Sequence, residues 1–129
     1  MLVVDASVVA VALVDDGTDG DLTRARLQGE RLVAPSLIDL EVASAWRGLI
    51  LGGRLEPRRA ASALEDLQAL PLQRVSPLGL LGRCWELREN LTVYDAAYVA
   101  LAEALQATLL TGDGRLAKAP GLRCDIEVL

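Results

Sequence analysis

Histidine is absent from this chain, and so is phenylalanine; lysine occurs once, at Lys118, and cysteine twice. Without imidazole there is no Ser-His-Asp or Cys-His triad, no imidazole-based acid–base cleavage and no histidine-ligated zinc. Cys84 and Cys124 fall short of a four-thiolate site and of a disulfide framework, and are expected as free thiols. Two Trp and two Tyr leave little for the stacking platforms that grip single-stranded nucleic acid. Chemistry is left to carboxylates, hydroxyls, guanidinium groups and metals that favour oxygen.

Targeting signals are missing too. Residues 1–14 are apolar but include Asp5 and no basic run, unlike a signal peptide. The apolar stretch 93–110 holds Asp95, Glu103 and Gln106, which argues against a membrane span. A soluble, cytoplasmic protein is expected. Its 129 residues fit one domain with a core of its own, and an apolar fraction of 52% without Phe makes that core aliphatic and Ala-rich. Lys plus Arg is 13 against 18 acids, so the net charge is −5 and bulk electrostatics oppose a polyanion.

Short apolar runs alternate with helical patterns. Strands are expected at Leu2–Val4, Leu32–Pro35, Leu72–Val75, 108–110 and 126–129. Helices are expected over 7–13 (capped by Ser7), 22–29, 36–51 (from a capping box of Ser36 with Asp39), 57–70, 77–90, Val93–Leu105 (capped by Thr92) and 112–118. That alternation predicts an α/β fold, a three-layer α/β/α sandwich about a central, mainly parallel sheet.

Four acids occupy informative places. Ligands of open parallel sheets bind beyond the carboxyl ends of the strands. Asp5 directly follows the first strand, and Asp113 closely follows the fourth. Asp95 lies in the first turn of an apolar helix, on one face with Tyr98, Val99 and Ala102; Glu41 lies within another apolar helix. Each has an ordinary use as well: Asp5 as a helix cap, Asp113 as a turn residue, Asp95 as a partner of the helix dipole, Glu41 as a solvated side chain. If they converge, each pair of charges about 5 Å apart at an effective dielectric near 20 repels by roughly 3 kcal/mol. Such a cluster protonates in part or takes up cations, and carboxylate ligation suits Mg²⁺ or Mn²⁺. Removing one acid, as in Asp113→Asn, is then expected to stabilise the metal-free fold.

The chain resembles the PIN-domain ribonucleases, specifically the VapC toxins of toxin–antitoxin pairs. The matching stretches are Leu2-Val3-Val4-Asp5-Ala6-Ser7, the run from Ala34 to Val42 around Glu41, the run from Asn90 to Ala102 around Asp95, and Leu110-Thr111-Gly112-Asp113-Gly114-Arg115-Leu116. The resemblance implies a single PIN-like nuclease domain over 1–129 and Mg²⁺- or Mn²⁺-dependent cleavage of RNA, leaving 5′-phosphate and 3′-hydroxyl ends. It puts Asp5, Glu41, Asp95 and Asp113 at the catalytic and metal-binding positions, with Ser7 and Thr111 as the hydroxyls that orient them. Some relatives carry a further acid after the position of Asp113; here Gly114, Arg115 and Leu116 follow. A small antitoxin and a homodimeric state are implied as well.

Two other readings stand beside this one. A different Mg²⁺-dependent phosphatase or phosphotransferase is disfavoured because Asp5-Ala6-Ser7 lacks a second Asp and only one lysine is available. An inactive, partner-binding domain is disfavoured by the presence of all four acids. Arg47, Arg54, Arg58 and Arg59 in one window, and Arg83 with Arg88 in another, are candidate phosphate contacts. Trp46, Leu49, Ile50 and Leu51, on the helix over 36–51, are expected to build a partner surface with the helix over 57–70.

Overall fold

Five parallel strands lie in the order β3-β2-β1-β4-β5, so the first strand of the chain is the middle of the sheet. The computed structural model describes residues 1–129. The strands are β1 (Leu2–Val4), β2 (Leu32–Pro35), β3 (Leu72–Val75), β4 (Thr108–Thr111) and β5 (Ile126–Val128). The β1 and β2 side chains are buried throughout, as expected of strands covered on both faces.

The helices are α1 (Ala6–Val14), α2 (Thr18–Leu27), α3 (Ile38–Leu51), α4 (Pro57–Ala69), α5 (Leu81–Glu86), α6 (Val93–Leu105) and α7 (Gly114–Ala117). Helix α1 packs against α2, α3 and α4, whereas α6 packs against α5 and along β1, β2 and β4. The core between them is aliphatic, with Tyr98 and Trp46 the buried aromatics. The sandwich about a parallel sheet expected from the sequence is what forms. No helix is long and apolar enough to cross a membrane.

Local departures have identifiable causes. Asp5, not Ser7, caps α1: its side chain accepts the Ser7 and Val8 N–H groups. Helix α2 starts at Thr18, four residues earlier than its apolar pattern suggests, because Gly20 lets it close on the end of α1. A Cβ on Gly20 would stand 1.9 Å from the Asp15 carbonyl oxygen. Ser36 caps nothing; the first residue before α3 is Leu37, with no side-chain cap, and Asp39 is drawn into a fork with Arg74 at 2.9 Å on both arms. The helix expected over 77–90 divides into a 3-10 turn at Pro77–Leu80 and the short α5. Gly79 and Gly82 weaken α-helix there by about 1 kcal/mol each relative to alanine.

Candidate active site

The register of β1 on β4 sets the site. Val4 pairs with Leu110, so the next residues, Asp5 and Thr111, emerge side by side at the carboxyl edge. The Asp5 N–H continues the ladder to the Leu110 carbonyl at 3.1 Å. Both Asp5 oxygens are held: the Ser7 hydroxyl donates to Oδ1 and the buried Thr111 hydroxyl donates to Oδ2, while the Ser7 N–H donates to Oδ1 at 2.9 Å.

The two hydroxyls are themselves fixed from the β4–α7 turn. Gly112 N–H donates to Ser7 Oγ at 2.9 Å, and Asp113 N–H donates to Thr111 Oγ1 at 3.0 Å. A Cβ on Gly112 would stand 3.1 Å from Ser7 Oγ, so glycine allows this approach. Asp113 in turn caps α7, accepting the Arg115 N–H at 2.9 Å, and receives the Arg115 guanidinium on both oxygens at 3.2 Å. That guanidinium holds the Asp113 carboxyl below its usual range.

Asp95 and Glu41 face the same edge from α6 and α3, and their chemistry is opposite. Burial pushes the Asp95 carboxyl up; Thr92 opposes, and the charges of Asp5 and Asp113 push it further. Burial also pushes Glu41 up, against the hydrogen bond from the Tyr98 hydroxyl, with Asp95 and Asp5 adding to the rise. Tyr98 donates to Glu41 Oε1 at 2.6 Å, and its own hydroxyl is pushed well above its ordinary value by burial and by Glu41. Asp95 thus senses the charges of Asp5 and Asp113, and Glu41 those of Asp95 and Asp5, yet no three of the acids close into a ready-made cation cage.

Donor chemistry nonetheless fits a hard divalent cation. The groups at this edge are carboxylate and hydroxyl oxygens, and Arg115 on Asp113 is the one ion pair made by any of the four acids. Against the expectation that Asp113→Asn relieves repulsion stand two contacts that the substitution weakens, the Arg115 pair and the α7 cap. The acids whose charge is disfavoured, by burial first and by like charge after it, are Asp95 and Glu41.

Sequence reasoning missed Tyr98, which it read as core. A buried tyrosine needs an acceptor for its hydroxyl, and its place on one helix face with Asp95 was the available signal. Within the arginine windows, three side chains have partners inside the chain. Arg59 donates to the Leu13 carbonyl at 2.9 Å and to Asp16; Arg83 forks Glu103 and reaches Glu86 and the Gly121 carbonyl; Arg88 lies 4.7 Å over Trp85. Trp46 is not surface: it is 2% exposed and donates its indole N–H to the Ala10 carbonyl at 3.2 Å. The apolar groove between α3 and α4 is formed instead by Leu40, Ala43, Ile50, Ala61 and Leu64, of which Leu40 is 79% exposed.

Comparison with known proteins finds relatives along nearly the whole chain. The PIN domain family model matches residues 2–122. The chain is 43% identical over 129 residues to Ribonuclease VapC9 of Mycobacterium tuberculosis, covering 100% of this chain and 98% of that one. It is 44% identical to Ribonuclease VapC1 of the same organism, covering 98% and 96%. Among solved structures, VapC20 of Mycobacterium tuberculosis, described as a sarcin–ricin-loop-cleaving toxin, superposes with a TM-score of 0.70 at 14% identity, covering 95% of this chain and 97% of that one. VapBC2 of Rickettsia felis, bound to a promoter DNA fragment, gives 0.67 at 15% identity, covering 99% and 98%.

Proposed function

The chain belongs to the PIN-domain family, among the VapC ribonucleases, and from that premise we propose that it is a toxin endoribonuclease whose working groups are Asp5, Glu41, Asp95 and Asp113. The reading covers residues 1–129 as one nuclease domain, acting on RNA in the cytoplasm and restrained by a cognate antitoxin, with two copies forming the working unit.

Mg²⁺ or Mn²⁺ would be held by those four carboxylates, and when bound it supplies charge neutralisation at the phosphate and activation of water. The protein's own part is orientation. Ser7 and Thr111 turn the Asp5 carboxylate by donating to both oxygens and face it into the edge. Tyr98 fixes Glu41 through Oε1 and leaves Oε2 directed by the same contact. Burial first, and neighbouring acids second, disfavour the charge on Asp95 and Glu41, and a bound cation would offset that cost.

The observation that carries the proposal is the doubly braced Asp5 carboxylate at the β1–β4 edge, facing two acids with raised proton affinity. Asp5→Asn keeps shape and removes charge. Its expected outcome is loss of RNA cleavage by at least about 100-fold, the scale of removing one electrostatic contributor at a reacting centre, with an unchanged circular dichroism spectrum. Cleavage of total RNA by Asp5→Asn at the wild-type rate in Mn²⁺ would sink the assignment.

A further inference from the structure

Beside Asp95 and Asp113 lies a cleft of about 430 Å³, walled by Asn90, Thr92, Asp95, Asp113, Arg115 and Lys118. It holds two cations where the acid edge has no others within its walls. Many of the chain's arginines are committed to internal carboxylates: Arg24 to Asp21, Arg26 to Glu30 and Glu127, Arg59 to Asp16, Arg74 to Asp39, and Arg83 to Glu86 and Glu103. Arg115 differs from these. Its side chain is 93% exposed, yet its fork lies on both oxygens of Asp113. An ion pair that exposed is weakly held and readily exchanged.

The same fork that matches a carboxylate matches two oxygens of a phosphodiester. While Arg115 lies on Asp113, that carboxylate is neutralised; once Asp113 turns to a cation, the guanidinium is released beside the cleft, next to Lys118. Of the uncharged polar walls, the Asn90 amide is committed to the Pro120 carbonyl at 3.1 Å and the Thr92 hydroxyl accepts the Asp95 N–H at 3.1 Å, so the negative charge in the cleft is that of Asp95 and Asp113, which a bound cation would offset. On the opposite flank, beyond Ser7 and Gly112, the pocket between α1 and α2 is apolar, formed by Val8, Val11 and Leu22, and its one charged side chain is Asp19. A phosphate has partners on the α6–α7 flank and none on the other.

We infer that the Arg115–Lys118 cleft is the seat of an RNA backbone phosphate next to the one being cut, and that Arg115 reaches it by exchanging Asp113 for that phosphate. The inference rests on the ribonuclease reading and adds to it the direction in which the strand leaves the acids.

The test separates the two. A labelled single-stranded oligoribonucleotide is titrated by fluorescence anisotropy in millimolar Mn²⁺ against Asp95→Asn protein, alone and with Arg115→Gln, Lys118→Gln or both, at several salt concentrations. Intact RNA is checked on a denaturing gel; if Asp95→Asn cleaves it, the assignment of Asp95 fails and the slopes are read in Mn²⁺ with Asp5→Asn protein instead. Each substitution is expected to reduce the slope of log affinity on log salt by about 0.7, and the pair by about 1.4, as for two lost single-strand phosphate contacts. Arg54→Gln, at the far end of the α3–α4 pair, is expected to leave it unchanged. In RNA-free protein with Asp95 intact, Arg115→Gln is expected to bind Mn²⁺ several-fold more tightly by calorimetry, and Lys118→Gln equally. Unchanged slopes in both variants, an equal loss in Arg54→Gln, or weaker Mn²⁺ binding in Arg115→Gln overturns the inference.

Discussion

Tyr98 shows how much one hydroxyl decides. It is buried, it sits on the same helix as Asp95, and it gives its only proton to Glu41 at 2.6 Å. Tyr98→Phe keeps the ring in the core and leaves Glu41 without that donor. A hydrogen bond to a charged group contributes about 1.5–3 kcal/mol to stability, so the melting temperature is expected to fall by several degrees, and cleavage, with Glu41 no longer held, by at least about 10-fold. Activity equal to wild type would show that Glu41 needs no such anchor. The signs of the acids give a second expectation. Asp95 and Glu41 are raised, so the stability they contribute is fully present below the ordinary carboxylate range of about 4 and is lost as pH rises through their raised values. Asp113 and Glu103 are lowered and act in the reverse sense, losing their contribution on acidification. In EDTA, Asp95→Asn is therefore expected to flatten the decline in stability above pH 4 and to raise the melting temperature at pH 7 by roughly 3 °C, the effect of about 1 kcal/mol in a chain of this size. Differential scanning fluorimetry across pH checks it; a lowered melting temperature would mean that Asp95 is held by something other than repelling neighbours.

Elements were legible where the signal is local and misread where a distant partner intervenes. Leu2–Val4 and Leu32–Pro35 form as strands because short apolar runs between breakers have little else to become, and Leu72-Gln73-Arg74-Val75 forms as a strand at the edge of the sheet, with Leu72 buried. Thr92 caps α6 as its position suggests, through the Asp95 N–H. Ser36 and Asp39 look like a capping box, but Asp39 is taken by Arg74, 35 residues away, which also binds the Leu67, Leu70 and Leu72 carbonyls. No local pattern shows that fork. The acids were legible because strand ends and helix starts are readable; the hydroxyl relay through Gly112 was not, since it needs the β1–β4 register. The apolar excess expected along α3 divides between two places: Trp46 belongs to the core and Ile50 to the groove. Trp46→Asp is expected to unfold the protein, costing more than about 3 kcal/mol. Ile50→Asp is expected to stay folded and weaken antitoxin capture at least tenfold in a pull-down with the co-expressed partner. Normal capture by a folded Ile50→Asp protein would place the antitoxin elsewhere.

For the molecule as a whole, the order of the strands governs when the site exists. β1 is the first strand made and the central one, and its neighbour at the acid edge, β4, begins only at Thr108. Asp5 and Asp113 are therefore neighbours in space but opposite ends of the message. Long-range parallel pairing is slow to form because the intervening loop must close first. At about 5–20 residues per second, synthesis of a chain this length takes roughly 6–26 s. Throughout nearly all of that time a ribosome making this protein carries Asp5 with no Thr111 to brace it and no Asp113 to face it. The nascent chain is thus harmless to the RNA that surrounds it until its last strands emerge, and an antitoxin that meets α3 and α4 earlier meets a nuclease not yet assembled.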